Sequence, residues 1–211
     1  WADLRLRAAS AAVLAPVALI CIWLGGVAFA VLMLAGTIGV VVEWRQMAQA
    51  GRAAATSFAA GLLYILLAAV ALLWLRADPL VGRVHLLFLL LLVWASDIGA
   101  YVAGRAIGGP RLAPRISPGK TVSGAVGGLA AALLIGVIAA LWYGNPAWRA
   151  GVLAGLLGMI AQAGDLAESY VKRRFGVKDS GRLIPGHGGL LDRLDALLAV
   201  ALAAAVLALA D

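Results

Sequence analysis

Cysteine is almost missing from this chain. Its 211 residues include one, Cys21, inside an apolar run, so no intrachain disulfide framework is available. A small packing residue is the plain reading of that thiol. Aromatic residues are also sparse, at 7%, and charged residues reach only 13%. A soluble domain carries about 25% charged residues and about 45–50% apolar ones. Here 64% of residues are hydrophobic and mean hydropathy is +1.01, which excludes a conventional soluble domain. Acids are the scarcer charge, with 10 Asp and Glu against 17 Lys and Arg and a formal net charge of +7. In a chain this apolar, that excess reads as membrane orientation and not as nucleic-acid binding. Internal repeats and low-complexity linkers are absent too. A single domain over 1–211 is expected, with plain spans over 1–90 and the chemistry over 91–211.

What is present is a series of long apolar runs, at 8–24, 27–42, 53–75, 84–103, 122–142, 147–167 and 190–210. They are near the length that a bilayer core requires. The predicted fold class is therefore all-α, a polytopic integral membrane helical bundle of about seven spans. Abundant Ala and 26 Gly suit close helix–helix packing. Pro16 predicts a kink in the first run, and Gly25-Gly26 a turn after it. Polar stretches at 43–52, 76–83, 104–121, 143–146 and 168–189 read as connections. The first run passes directly into the second, which argues against a cleavable leader. With the N-terminus in the cytoplasm, every Lys and Arg except Arg76, Arg83 and Arg149 falls on the inner side. The positive-inside rule then turns the loops 104–121 and 168–189 toward the cytosol, where a nucleotide can reach them.

Charge is concentrated in 164–195. Asp165, Glu168, Ser169, Lys172 and Arg173 follow at i, i+3, i+4, i+7 and i+8, one face of a helix. Gly186-His187-Gly188-Gly189 makes a side-chain-poor turn, which lets backbone N–H groups approach a phosphate. His187 could contact a phosphate or a metal-bound group, or could be a structural turn histidine. Asp192, Arg193 and Asp195 open the last apolar run. Carboxylates able to hold a hard metal thus flank a cluster of Lys and Arg, as a polyphosphate bound with a divalent cation requires. A solvated cytoplasmic loop is the plainer alternative. Topology accounts for its bases, but not for its acids or its histidine-glycine turn.

A second constellation precedes it. Asp97 lies inside a span, with Tyr101 at i+4 on the same face. A carboxylate there costs roughly 2.5–3.5 kcal/mol on insertion scales, so it faces a partner or a cavity. Gly119-Lys120-Thr121 resembles the end of a phosphate-binding P-loop. That motif requires a glycine five residues before Gly119, and position 114 is proline. What survives is Ser117, Lys120 and Thr121 at the start of the fifth span, where hydroxyls, an ammonium and a helix N-terminus suit an anion. An N-cap with a topogenic lysine is the alternative. His85, at the outer end of a span, reads as an interfacial residue.

The pattern S-x-x-K-R-x-x-x-x-K-D-S-x-x-x-x-P-G-H-G-G-x-x-D-R-x-D, from Ser169 to Asp195, resembles that of the phosphatidate cytidylyltransferases, the CDP-diacylglycerol synthases. The preceding Gly164, Asp165 and Glu168 also look like that family, as do Asp97, Ala100, Tyr101, Gly104 and the run from Ser117 to Thr121. The resemblance covers roughly residue 94 onward. It implies transfer of CMP from CTP to phosphatidate, giving CDP-diacylglycerol and pyrophosphate. It implies a Mg²⁺-dependent two-metal-ion site, the second ion divalent or monovalent. Asp165 and Asp192 are the first metal-ligand candidates, with Glu168 beside them. Lys172, Arg173, Lys178, Asp179, His187, Arg193 and Asp195 form the candidate catalytic group. Asp97, Tyr101, Ser117, Lys120, Thr121 and Ser169 are the candidate substrate-binding residues. A homodimer in the inner cell membrane, its site facing the cytoplasm, is expected, with CTP and phosphatidate as partners and no nucleic acid. Two departures stand out. Ser123 occupies a position where the family usually has an acid. The chain is also shorter than many relatives, which predicts a missing N-terminal span.

Three competing readings follow from the same residues. Two are CTP-using membrane enzymes, a polyprenol-type lipid kinase and an archaeol-type cytidylyltransferase. The third is a small ion transporter with Asp97 and Asp165 as a relay. A relay predicts acids deep in several spans, whereas most acids here gather at one end.

Overall fold

Inside a bilayer no water satisfies backbone N–H and C=O groups, so apolar runs of this length fold as helices. The computed structural model describes residues 2–186 and 188–210, with side chains for 9–186 and 188–209. It contains seven helices: α1 Ala2–Leu24, α2 Gly26–Ala50, α3 Ala55–Ala77, α4 Gly82–Ile107, α5 Val122–Tyr143, α6 Ala147–Arg174 and α7 Leu191–Ala210. The all-α polytopic bundle expected from the sequence is the architecture found. Among the described residues, α2 to α6 are each long and apolar enough to cross a membrane. The apolar part of α1, Ala9–Leu24, is shorter, and α7 opens with Asp192, Arg193 and Asp195.

Three boundaries differ from the sequence reading. Helix α2 continues through the stretch read as a link and carries Glu43 with only 1% of its surface exposed. Helix α6 continues to Arg174, so Glu168 to Arg174 are helical and not loop. An i,i+4 ion pair between Glu168 and Lys172 supports that extension, as does a last turn of Lys172, Arg173 and Arg174 against the helix dipole. The segment read as a loop over 104–121 is the end of α4 followed by a small antiparallel hairpin, β1 Arg111–Ala113 and β2 Ser117–Thr121. Helix α1 continues through Pro16.

The chain ends of the helices sort into two groups. At one end, the α1–α2 turn at Gly25 meets the end of α3. Arg76 Nε donates to Ile22 O (2.7 Å) and Nη2 to Trp23 O (3.2 Å), satisfying carbonyls that the end of α1 leaves free. Gly25 has φ +67°, and a Cβ there would strike the Arg76 guanidinium, so the turn requires glycine. Asp78 caps the α3–α4 turn there, and the backbone N–H groups of Val81 and Leu80 hold its carboxyl below the usual carboxylate range. At the other end lie the 111–121 hairpin and the loop 175–190, joined by Arg173 Nε donating to Ile116 O (3.3 Å).

Helices α4, α5, α6 and α7 pack in series, each chiefly on the next. Small residues make this possible. A Cβ on Gly124 would lie 2.8 Å from Ala100 O, and one on Gly128 2.8 Å from Ser96 O, so α5 meets the α4 backbone directly. Gln162 Nε2 donates to Ala125 O (3.2 Å) and ties α6 to α5. The buried core runs through Leu72, Leu89, Leu92, Ala132, Ala154 and Val200. This packing brings the charged residues of α4, α6 and α7 to the end that carries the hairpin and the long loop.

Candidate active site

Two clusters form around α6. The first surrounds a cavity of about 440 Å³ between α4, the hairpin, α5 and α6. Asp97, Tyr101, Lys120, Thr121 and Asp165 all line it, so five sequence candidates from three separate stretches come together. Lys120 Nζ forms an ion pair with Asp165 Oδ2, each side chain about 30% exposed (29% and 31%). Ser169 Oγ donates weakly to Asp165 Oδ1 at 3.5 Å, one helical turn away. Lys120 sits on β2 directly before α5, so its ammonium and the α5 N-terminus face the same space. The Thr121 hydroxyl is spent as the N-cap of α5, accepting from Gly124 N (3.0 Å). Arg105, Arg111 and Gln162 also line this cavity. The sequence reading missed them as site residues, although two arginines in a Gly/Pro-rich connection are the signal that could have marked them. Ser117 lies on β2 opposite Ala113, outside the cavity lining.

The second cluster is buried. Lys172 Nζ lies 2.6 Å from Asp192 Oδ1 and 3.1 Å from Glu168 Oε2, with Lys172 8% exposed. Asp192 also accepts from the backbone N–H groups of Ser180 (3.1 and 3.0 Å to its two oxygens) and Gly189 (3.1 Å). Asp195 lies beside the carboxyl of Glu168. Asp97, Asp165 and Asp195 are within electrostatic reach of one another, so the two clusters form one charged region across α6.

The remaining candidates fall around these clusters. Arg173 turns away from the others on its face and fastens the loops, donating to Ile116 O and, from Nη1, to Val177 O (3.0 Å). Lys178 and Asp179 stand exposed on the turn after α6. Arg193 is exposed and engaged. His187 lies outside the described residues. In the turn that follows it, Gly189 N–H is used by Asp192, and Gly188 O accepts from Ile184 N (3.1 Å). The residue the sequence reading missed altogether is Glu43, whose carboxylate takes hydrogen bonds from Ser180, Leu183, Leu190 and Leu191.

A second cavity, of about 700 Å³, opens on the other side of α6, between α3 and α7. Its walls include Ile65, Ile160, Ala163 and Ala199. Glu168, Asp195, Tyr64 and Arg174 supply polar atoms along it.

The acids suit a hard cation. All are oxygen donors, and Glu168 Oε1 is buried without a hydrogen-bond partner. The Lys172 ammonium already occupies a cation position between Glu168 and Asp192. Among the described residues no three acids, histidines or cysteines are gathered as a ready-made metal cage. Mg²⁺ is ordinarily held by one or two carboxylates with waters and substrate phosphates completing its shell, so the pairs found here fit that ion.

Fold and site together define a polytopic helical membrane protein whose acids and bases converge at one end, beside a polar cavity and an apolar one. Residues 50–210 match the model of the cytidylyltransferase family, and the chain belongs to that family. It is 56% identical over 144 residues to a phosphatidate cytidylyltransferase of Brucella suis, covering 68% of this chain and 53% of that protein. It is 46% identical over 121 residues to one of Staphylococcus saprophyticus (56% of this chain, 46% of that protein). It is also 46% identical over 128 residues to one of Haemophilus influenzae (58% and 44%). The alignments thus span about half the length of these curated relatives.

Proposed function

We propose that this protein transfers CMP from CTP to phosphatidate, releasing pyrophosphate and forming CDP-diacylglycerol. The observation that carries the reading is the convergence of Lys120, Asp165, Lys172 and Asp192, from three separate stretches, on one region flanked by a polar and an apolar cavity. Each substrate is a polyanion, and a phosphate monoester alone carries about −1.5 to −2 at neutral pH. Mutual repulsion is the first barrier to their meeting. In this reading the 440 Å³ cavity receives the triphosphate, with Lys120, Arg111 and the α5 N-terminus as its cationic wall. The apolar cavity receives an acyl chain, with Arg174 at its loop end and the carboxylates beside the reacting phosphates.

The phosphatidate oxygen attacks the α-phosphorus of CTP, and the bond to the β-phosphate oxygen breaks. That oxygen is already anionic, so no strong base is required. Lys120 holds phosphate charge and Lys172 holds Glu168 and Asp192 in place, while Asp97 and Tyr101 line the nucleotide side. Asp165, Glu168 and Asp192 would hold Mg²⁺, which when bound supplies charge neutralisation at the triphosphate. Positioning and electrostatics carry most of the rate, as in other phosphoryl transfers.

The test is Mg²⁺-dependent pyrophosphate release from CTP and phosphatidate in detergent. Equimolar CDP-diacylglycerol is the expected product. CDP without pyrophosphate would assign a lipid kinase instead, and no turnover would overturn the reading. The resemblance further implies a homodimer, checked by cross-linking in native membranes. The charge distribution supports a site facing the cytoplasm, and the resemblance implies the inner membrane. With Cys21→Ser as background, Lys178→Cys is expected to react with an impermeant thiol reagent only after the membrane is opened.

A further inference from the structure

Glu43 lies seven residues before the stretch that matches the family model, on the part of α2 read from sequence as a polar link. It is nevertheless among the most deeply buried polar residues described, at 1% exposure. A carboxylate is an acceptor-only group with about four lone-pair positions. All four are used by the 175–190 loop and the first residue of α7: Oε2 accepts from Ser180 Oγ (3.2 Å) and Leu191 N (2.9 Å), and Oε1 from Leu190 N (3.0 Å) and Leu183 N (3.4 Å). The loop closes on it so tightly that a Cβ on Gly181 would strike the Glu43 carboxylate. One on Gly189 would strike Ser180 Oγ and come within 2.9 Å of Glu43 Oε2.

Ser180 links this anchor to the charged cluster. Its hydroxyl donates to Glu43 while accepting from Asp192 N (3.3 Å), and its own N–H donates to the Asp192 carboxylate. Asp192 in turn holds Lys172 at 2.6 Å. We infer that Glu43 is a positioning residue. From α2 it fixes the start of α7 and the 180–191 loop, and so sets where Asp192 and Lys172 stand. The glycines at 181 and 189 serve this contact, because only a side-chain-free backbone can come this close to the carboxylate. The kinetic part of the inference rests on the proposed transfer reaction; the anchoring of the loop does not.

The experiment is hydrogen exchange by mass spectrometry on the full chain in detergent, with steady-state kinetics alongside. In the unmodified protein the Leu190 and Leu191 amides are expected to exchange slowly, and rapid exchange there would overturn the inference. Glu43→Gln keeps the shape but turns an NH₂ group toward N–H donors. It is expected to speed exchange over 180–192 at least ~10-fold while α3 to α5 remain as protected as before. It should also lower kcat roughly 100-fold with the KM for CTP within about threefold, the signature of displaced machinery and not of lost binding. Glu43→Asp should recover part of both. A uniform rise in exchange, or an unchanged loop with unchanged kcat, would overturn the inference. Should Glu43→Gln fail to fold, Ser180→Ala removes one of the four donors, and the same local rise is expected from it. If the unmodified protein turns over no phosphatidate, the reaction reading fails while the exchange data still decide the role of Glu43.

Discussion

Two lysine–carboxylate contacts lie about two turns apart along α6, and they differ in kind. Lys120 reaches Asp165 from a hairpin, across an open cavity, with both side chains about 30% exposed (29% and 31%). Lys172 is held on its own helix between Glu168 and Asp192, with all three side chains near 10% exposed (9% to 12%). The open pair has little to lose by exchanging one partner for a ligand, since exposed ion pairs contribute about 0–1 kcal/mol. The buried group cannot exchange so freely, because removing one member strands a desolvated charge. One charged region thus combines a fixed part and a replaceable part.

The sharpest way to break this distinction is Lys172→Met. It leaves Glu168 and Asp192 buried without their cation and is expected to cost about 3–5 kcal/mol, read as denaturant unfolding in detergent. Turnover should be lost with it. Asp165→Asn is expected to unfold near the parent midpoint but to lower CDP-diacylglycerol formation roughly 100-fold or more, since it removes negative charge where the nucleotide's cation would sit. Lys120→Met should change stability by less than ~1 kcal/mol and raise the KM for CTP roughly 10-fold, an effect that shrinks as salt is added. If Lys120→Met unfolds as readily as Lys172→Met, the two contacts are not different in kind. The smallest effect is expected at Ser123, where the family usually has an acid. Its hydroxyl donates to Gly108 O and pairs with Thr121 Oγ1 (3.1 Å), joining the start of α5 to the end of α4. Ser123→Ala should cost about 1 kcal/mol of stability and alter turnover no more than about threefold.

Much of this was visible in the residues. Long apolar runs gave the helices because a membrane interior leaves a backbone no alternative. The i,i+3,i+4,i+7 spacing put Asp165, Glu168, Ser169 and Lys172 on one face, and they do converge. Arg173 obeys the same spacing yet serves the loops, because the hairpin lies within its reach at the helix end. The hairpin was not legible: its strands are short, contain Pro118 and have an irregular register. Glu43 was not legible either. It follows an apolar run and precedes Trp44, Arg45 and Gln46, as an interfacial residue would. Its partners lie about 140 residues away, and most are backbone amides, which leave no mark in a sequence. The glycines of 186–189 were visible, but the packing of Gly189 was not, since nothing local shows that it lies against a carboxylate on α2.

The contact between α2 and the long loop bears on where this chain can be cut. A fragment chosen on sequence similarity would start near residue 50 and keep every acid and base from Asp97 onward. It would also discard the acceptor for the Leu190 and Leu191 amides and expose them at the foot of α7. A unit that keeps this anchor is therefore longer than the stretch matched by the family model, and trimming for expression or crystallisation should begin on the amino-terminal side of α2.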